Sequence, residues 1–146
     1  MDYWASMDYH KFLDVSVRYV KNSTSRYVEG YKFKYYHIPA LVVMHNSPGI
    51  SQKGLCARVP MDKSRISIVV REIIEMGMAV NESTGKVWSL RLTPKGEEAY
   101  ETAIQATLMS DDRLFEAITD EEKEAFVAIC KKLSARIAEI QKGDPR

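Results

Sequence analysis

The chain has 146 residues, 45% of them hydrophobic and 28% charged, with a formal net charge of +1, enough apolar material for one ordinary domain with its own core. No apolar run approaches the roughly 18 to 20 residues of a membrane span, and the N-terminal MDYWASMDYH has neither the basic nor the apolar region of an export signal, so a soluble, unexported, cytoplasmic protein with no membrane partner is expected. Residues 51–95 carry eight Lys/Arg against four Asp/Glu and residues 96–146 carry seven against twelve; a basic centre and an acidic end fit one segment offered to an anionic partner and another used for self-association, or merely a scattered solvated surface.

In chain order, Phe12, Leu13, Val17 and Val20 share one face of a helix expected from about Ser6 to Ser25. EGYKFKYYHIP follows, dense in Tyr and Lys. ALVVMHN reads as a short apolar helix with Pro39 in its first turn, where no amide donor is needed, stopped by Pro48 and Gly49. Ser51 is the expected cap of a helix from Gln52 to Val59, with Leu55 and Val59 facing inward and Pro60 closing it.

Asp62 caps the next predicted helix, Lys63 to about Met76. Ile66, Val69, Val70 and Ile73 follow the i, i+3, i+4, i+7 rule and form its buried face, which leaves Lys63, Ser64, Arg65, Ser67, Ile68, Arg71 and Glu72 elsewhere. MAVN and VWSLRL then read as two strands around ESTG, with Gly85 supplying the permissive backbone of the hairpin tip. A long helix is expected from Pro94 to about Leu114, with Ala99, Ala103, Ile104, Ala106 and Leu108 among its apolar positions. Thr119 and Glu122 form a capping box for a last helix striped by Phe126, Ile129, Cys130, Leu133, Ile137 and Ile140. The terminal helices offer more apolar stripe than one small lobe covers, which points to a partner subunit or to an intramolecular bundle with the first helix.

Two short helices joined by a tight turn, the second basic and hydroxyl-rich at its start, followed by a two-stranded hairpin, make a winged helix-turn-helix. Such a second helix lays its exposed face in the major groove of double-stranded DNA. Lys63 and Arg65 are the leading candidate DNA contacts, with Ser64, Ser67 and Arg71 next and Lys86 a candidate for phosphate or the minor groove; the bland alternative is a solvated helix face. Trp88 is expected to pack the wing against the lobe. His10, His37 and His45 are not at ligand spacing, and no phosphate loop or nucleophile motif occurs. No catalytic residue, metal site or cofactor is expected, and Cys56 and Cys130 read as plain buried thiols.

NSPGISQKGLCARVPMDKSRIS resembles the MarR type of bacterial and archaeal transcriptional regulators in its Pro-Gly loop, Ser-Gln helix start, Leu followed by a small residue, and Asp-x-Ser start of the second helix. EIIEMGMA, LRLTPKGEEAY and ITDEEKEAF resemble the family's Leu-x-x-x-Gly-Leu, Leu-Thr-x-x-Gly and last-helix segments, in the same order over nearly the whole chain. The resemblance implies a mainly α fold with a small β-hairpin wing, a winged helix-turn-helix lobe at 37–95, and dimerisation helices at 1–30 and 96–146 of a single 1–146 chain. It further implies a homodimer on a palindromic operator and a small aromatic effector held between the helices of the dimer and the lobe, here in a crevice lined by Tyr31, Phe33, Tyr36, His37 and the first helix.

Three departures stand out. The wing, NESTGKVWS, lacks the family's Asp-x-Arg motif and has Lys86 as its basic tip residue; Gly54 replaces a helix-favouring residue, at about 1 kcal/mol relative to Ala; and Cys56 takes a position usually Ala. They leave open a winged-helix module that binds protein, or a regulator with degraded DNA binding.

Overall fold

The structure, a computed structural model, describes residues 3–143; the first two and last three residues of the expected 1–146 span lie outside the described residues. The chain divides into two compact units, Met1–Ser110 and Asp111–Arg146. The elements are α1 (Tyr3–Tyr27), a 3-10 turn (Tyr35–His37), α2 (Ile38–Asn46), α3 (Gln52–Arg58), α4 (Lys63–Glu75), β1 (Ala79–Asn81), β2 (Leu90–Leu92), α5 (Pro94–Phe115) and α6 (Asp120–Gly143). The fold is mainly α with a small antiparallel wing, a winged helix-turn-helix flanked by N- and C-terminal helices.

Local chemistry sets the helix boundaries. Ser51 Oγ accepts the Gly54 N–H at 3.0 Å to start α3, and Asp62 Oδ1 accepts the Arg65 N–H and the Ser64 hydroxyl, both at 2.8 Å, to start α4. At the end of α4 the Gly77 N–H bonds Ile74 O and the Met78 N–H bonds Ile73 O, with Gly77 at φ 75°, a Schellman closure. Ile66, Val69, Val70 and Ile73 are all buried, against Leu41 and Met44 of α2, Leu55 of α3 and Leu90 of β2 in one core. Gly54, which costs helix propensity, has a packing reason: a Cβ there would stand 2.7 Å from Ile50 Cγ1.

The wing is shorter in strand and longer in loop than the sequence predicts. β1 and β2 pair Ala79 with Leu92 and Asn81 with Leu90, and Ile50 bridges to Leu90 on the other side. Residues 87–89 are not strand. The side-chain carbonyl of Asn81 accepts the Ser83 and Ser89 N–H groups at 3.1 and 2.9 Å, while the Glu82 N–H bonds Ser89 O at 2.9 Å as the last cross-strand backbone bond. Gly85 is not left-handed; positive φ among the described residues occurs at Gly49 and Gly77. Trp88, expected to pack the wing against the lobe, is 40% exposed.

The Leu-Thr-x-x-Gly segment has a physical task in this fold. Thr93 Oγ1 accepts the Gly96 N–H at 3.1 Å and donates to Gly77 O at 2.6 Å, while the Thr93 N–H bonds Met78 O. The first turn of α5 thereby lies directly on the α4–β1 junction. A second seam joins α1 to α5: Tyr19 OH donates to Ser110 O, and the Ser23 and buried Ser110 hydroxyls bond each other, both at 2.7 Å.

Phe12, Leu13, Val17 and Val20 of α1 are between 39% and 71% exposed. In the second unit the capping box forms as predicted, Thr119 and Glu122 exchanging bonds at 3.1 and 3.2 Å, and Phe115 meets Phe126 at 5.9 Å between ring centroids. Ile129, Leu133, Ile137 and Ile140 of α6 are about half exposed, 49–53%. Cys130, expected to be buried, shares this exposed helix, and Cys56 is half-buried.

A Cβ on Gly96 would lie 1.8 Å from the Met78 carbonyl oxygen, whereas one on Gly30 would meet nothing within 4 Å. Gly96→Ala should lower the urea-unfolding free energy by about 2 kcal/mol or more, and Gly30→Ala should leave it within about 0.5 kcal/mol.

Candidate nucleic-acid interface

The buried stripe of α4 determines what the helix shows to solvent. Lys63, Ser64, Arg65 and Arg71 are exposed, Ser67 is half-buried, and Ile68 is 50% exposed at the centre of the same outward face. The contacts expected from the sequence are basic and hydroxyl side chains, and Ile68 is not among them. Its signal was its place off the buried i, i+3, i+4, i+7 stripe, and an exposed apolar side chain there suits contact with a thymine methyl. Ser64 already spends its hydroxyl proton on Asp62, whose carboxyl is held below the usual range chiefly by the Arg65 backbone N–H and then by Ser64.

Arg65 and Glu72, seven residues apart, lie on one flank of α4 and both reach the turn before α2. The Arg65 guanidinium lies over the Tyr36 ring, 5.2 Å from its centroid. His37 Nδ1 accepts the Lys34 N–H at 2.8 Å, so its proton sits on Nε2, which faces Glu72 Oε1 at 3.4 Å. Burial pushes the His37 pKa below the ordinary 6.5, with the Glu72 bond and charge opposing and the Lys34 and Arg65 charges assisting.

Lys86 is exposed in the wing loop, apart from α4 in the chain and on a different element. The other wing cation, Arg91, pairs with Glu82. The wing loop therefore presents Lys86, Val87 and Trp88 rather than a basic cluster.

The four aromatic residues predicted to line one crevice are divided between two cavities. Tyr31 and the buried Phe33 line one of about 290 Å³ with Lys32, Met78, Lys95 and Ala99. Tyr36 and His37 line another of about 310 Å³ with Lys32, Lys34, Glu72, Glu75 and Met76. Helix α1 contributes Tyr27 to a third hollow beside Tyr31. The division follows from the 34–37 turn, which folds Tyr36 and His37 toward α4 while Phe33 enters the core. Elsewhere His45 bonds Glu97 at 2.6 Å and stacks on Tyr100, tying α2 to α5. Among the described residues no three His, Cys, Asp or Glu side chains converge as metal ligands, and no helix is long and apolar enough to cross a membrane.

No family model matches the chain. It is 29% identical over 96 residues to a proposed transcriptional regulatory protein for the hcr operon of Thauera aromatica, a match covering 64% of this chain and 58% of that protein; the chain spans less than two thirds of that relative's length. Among solved structures it resembles a MarR transcriptional regulator from Methanosarcina mazei, with a TM-score of 0.83 at 17% identity over 90% of each chain. It also resembles the Mycobacterium tuberculosis MarR family protein Rv2887 in complex with DNA, with a TM-score of 0.70 at 17% identity over 85% of this chain and 95% of that one. Rv2887 in complex with salicylic acid gives 0.69 at 18% identity over 84% and 93%. The fold is that of the solved MarR-family structures.

With its folded pKa below 6.5, His37 lets the unfolded chain bind more protons than the folded one as pH falls. Its neutral form is fully in place above 6.5, and stability is lost as pH falls toward the folded value. Thermal unfolding followed between neutral pH and about pH 5 should show Tm falling in the wild type and a shallower fall in His37→Gln; equal slopes would contradict this role.

Proposed function

We propose that the chain is a MarR-type transcriptional regulator that binds double-stranded DNA sequence-specifically, as a homodimer on a palindromic operator. The observation that carries the reading is α4 itself, a helix buried along one stripe and offering Lys63, Arg65, Ser67, Ile68 and Arg71 outward, with the β1–β2 wing behind it. Arg65 and Arg71 donate to base edges or phosphates, Lys63 and Ser67 to phosphates, as does Ser64 once its hydroxyl turns from Asp62, Ile68 meets thymine methyls, and Lys86 reaches phosphate or the minor groove. The regulatory role named for the Thauera aromatica relative and the DNA held by Rv2887 support this reading.

Residues 37–95 act as the DNA-binding lobe, and 1–30 with 96–146 supply the dimerisation helices. The exposed apolar stripes of α1 and of α6 support that assignment, since side chains of this kind are stabilised by burial at about 25 cal/mol per Å². A small aromatic acid is the effector class. The Tyr31–Phe33 cavity supports it, joining an apolar wall to the ammonium groups of Lys32 and Lys95, and Rv2887 binds salicylic acid. Such a ligand acts by favouring one spacing of the two lobes over the other. The exposed Val87 and Trp88 on the wing favour a second reading, a winged helix that docks on protein.

Duplexes selected from a random pool and then titrated at several salt concentrations decide between the two. The expected result is a palindromic winner with a steep salt slope, and a loss of about 1–3 kcal/mol with relaxed base preference in Arg65→Ala. No enrichment, with weak binding indifferent to Arg65, would leave the protein-docking reading. In sedimentation the wild type should run as two chains and Leu133→Glu as one; a monomeric wild type ends the homodimer assignment.

A further inference from the structure

We infer that Tyr36 is a positioning residue that holds the Arg65 guanidinium at the angle from which it reaches a DNA base. The inference rests on the reading of α4 as the DNA-contacting helix and names what fixes its leading side chain. An exposed arginine on a first helical turn has many rotamers, and fixing one of them on binding opposes association. Here Arg65 is already laid over an aromatic face, 5.2 Å from the ring centroid.

The shelf beneath it is rigid. Tyr36 is half-buried, with the His37 ring 4.4 Å away on one side and the Tyr35 ring edge-on at 5.6 Å. His37 is held at both ring nitrogens, by the Lys34 N–H at 2.8 Å and toward Glu72 at 3.4 Å. Arg65 and Glu72 are on the same flank of α4, so the turn is gripped at two points by the helix it supports. A guanidinium held over a ring spends no hydrogen bond on that contact, so its N–H groups stay available for a bidentate bond to guanine O6 and N7. The cation–ring contact therefore orients Arg65 without consuming the donors that read DNA.

The full chain is compared as wild type, Tyr36→Phe, Tyr36→Leu, Arg65→Ala and the Tyr36→Leu/Arg65→Ala double variant, on the duplex selected by the wild type and on a scrambled duplex. Tyr36→Leu should lose about three- to tenfold on the selected duplex and nothing on the scrambled one. Tyr36→Phe should match the wild type, and Tyr36→Leu should add nothing once Arg65 is Ala. Tighter binding by Tyr36→Leu would mean that Tyr36 sequesters Arg65, and additive losses or equal losses on both duplexes would mean a contact or packing role of its own; each overturns the inference. A wild type that binds no duplex overturns the function reading and this inference together, whereas a wild type that binds no better than Tyr36→Leu overturns this inference alone. The Arg65 Nε–H resonance should carry a ring-current shift in the wild type and Tyr36→Phe that Tyr36→Leu loses, and its absence from the wild type would also overturn the inference.

Discussion

Burial of one stripe of α4 is the constraint on which the rest of the lobe depends. Ile66, Val69, Val70 and Ile73 are all β-branched, a residue class with below-average helix propensity because χ1 is crowded by the preceding turn. Such a segment is helical because its stripe is buried, at about 1.5–3 kcal/mol per side chain, and because Asp62 and Gly77 close its ends. The same burial fixes the azimuth of the helix. Once those four side chains face the core, Ser64, Ser67, Ile68 and Arg71 have to face out, and Arg65 and Glu72 have to flank the 34–37 turn.

The second constraint is the close approach at Gly96. Thr93 bonds Gly77 and Met78, in the turn that closes α4, and the absence of a side chain at position 96 lets the first turn of α5 rest on the Met78 carbonyl. α4, β1 and the start of α5 are therefore joined by backbone groups and the short Thr93 hydroxyl rather than by long side chains. A displacement of α5 at that turn carries the C-terminal end of α4 and the root of the wing with it, because bonds of 2.6–3.1 Å leave no slack between them. Packed elements of this kind move as units.

What was legible in the sequence was whatever is decided within a few residues. The caps at Ser51 and Asp62, the box of Thr119 and Glu122, and the α4 stripe all obey rules of spacing three, four and seven, and all are present in the structure. What was not legible was decided between distant parts of the chain. Asn81 truncates the wing strands by bonding across to Ser89, which alternation of apolar and polar residues cannot register. Gly54 looked like a cost until Ile50 was seen against it. The aromatic run from Tyr31 to His37 looked like one lining, but a 3-10 turn sends its members to two cavities. Arg65 was singled out from its place on the helix, while its partner Tyr36 was assigned to a ligand crevice, because stacking between residues so far apart leaves no sequence period.

For the proposed DNA contact, the placement of the carboxylates is as informative as that of the cations. Glu72 and Glu75 line the cavity at the C-terminal half of α4, and Glu82 pairs with Arg91 at the foot of the wing. At the first turns of α4 Lys63 and Arg65 add to the positive end of the helix dipole beside the Asp62 carboxylate that caps it. With a net charge of only +1 on the whole chain, little long-range attraction holds the wrong sequences. Under the proposed function, discrimination rests on a few short-range contacts, of which the orientation of Arg65 is one.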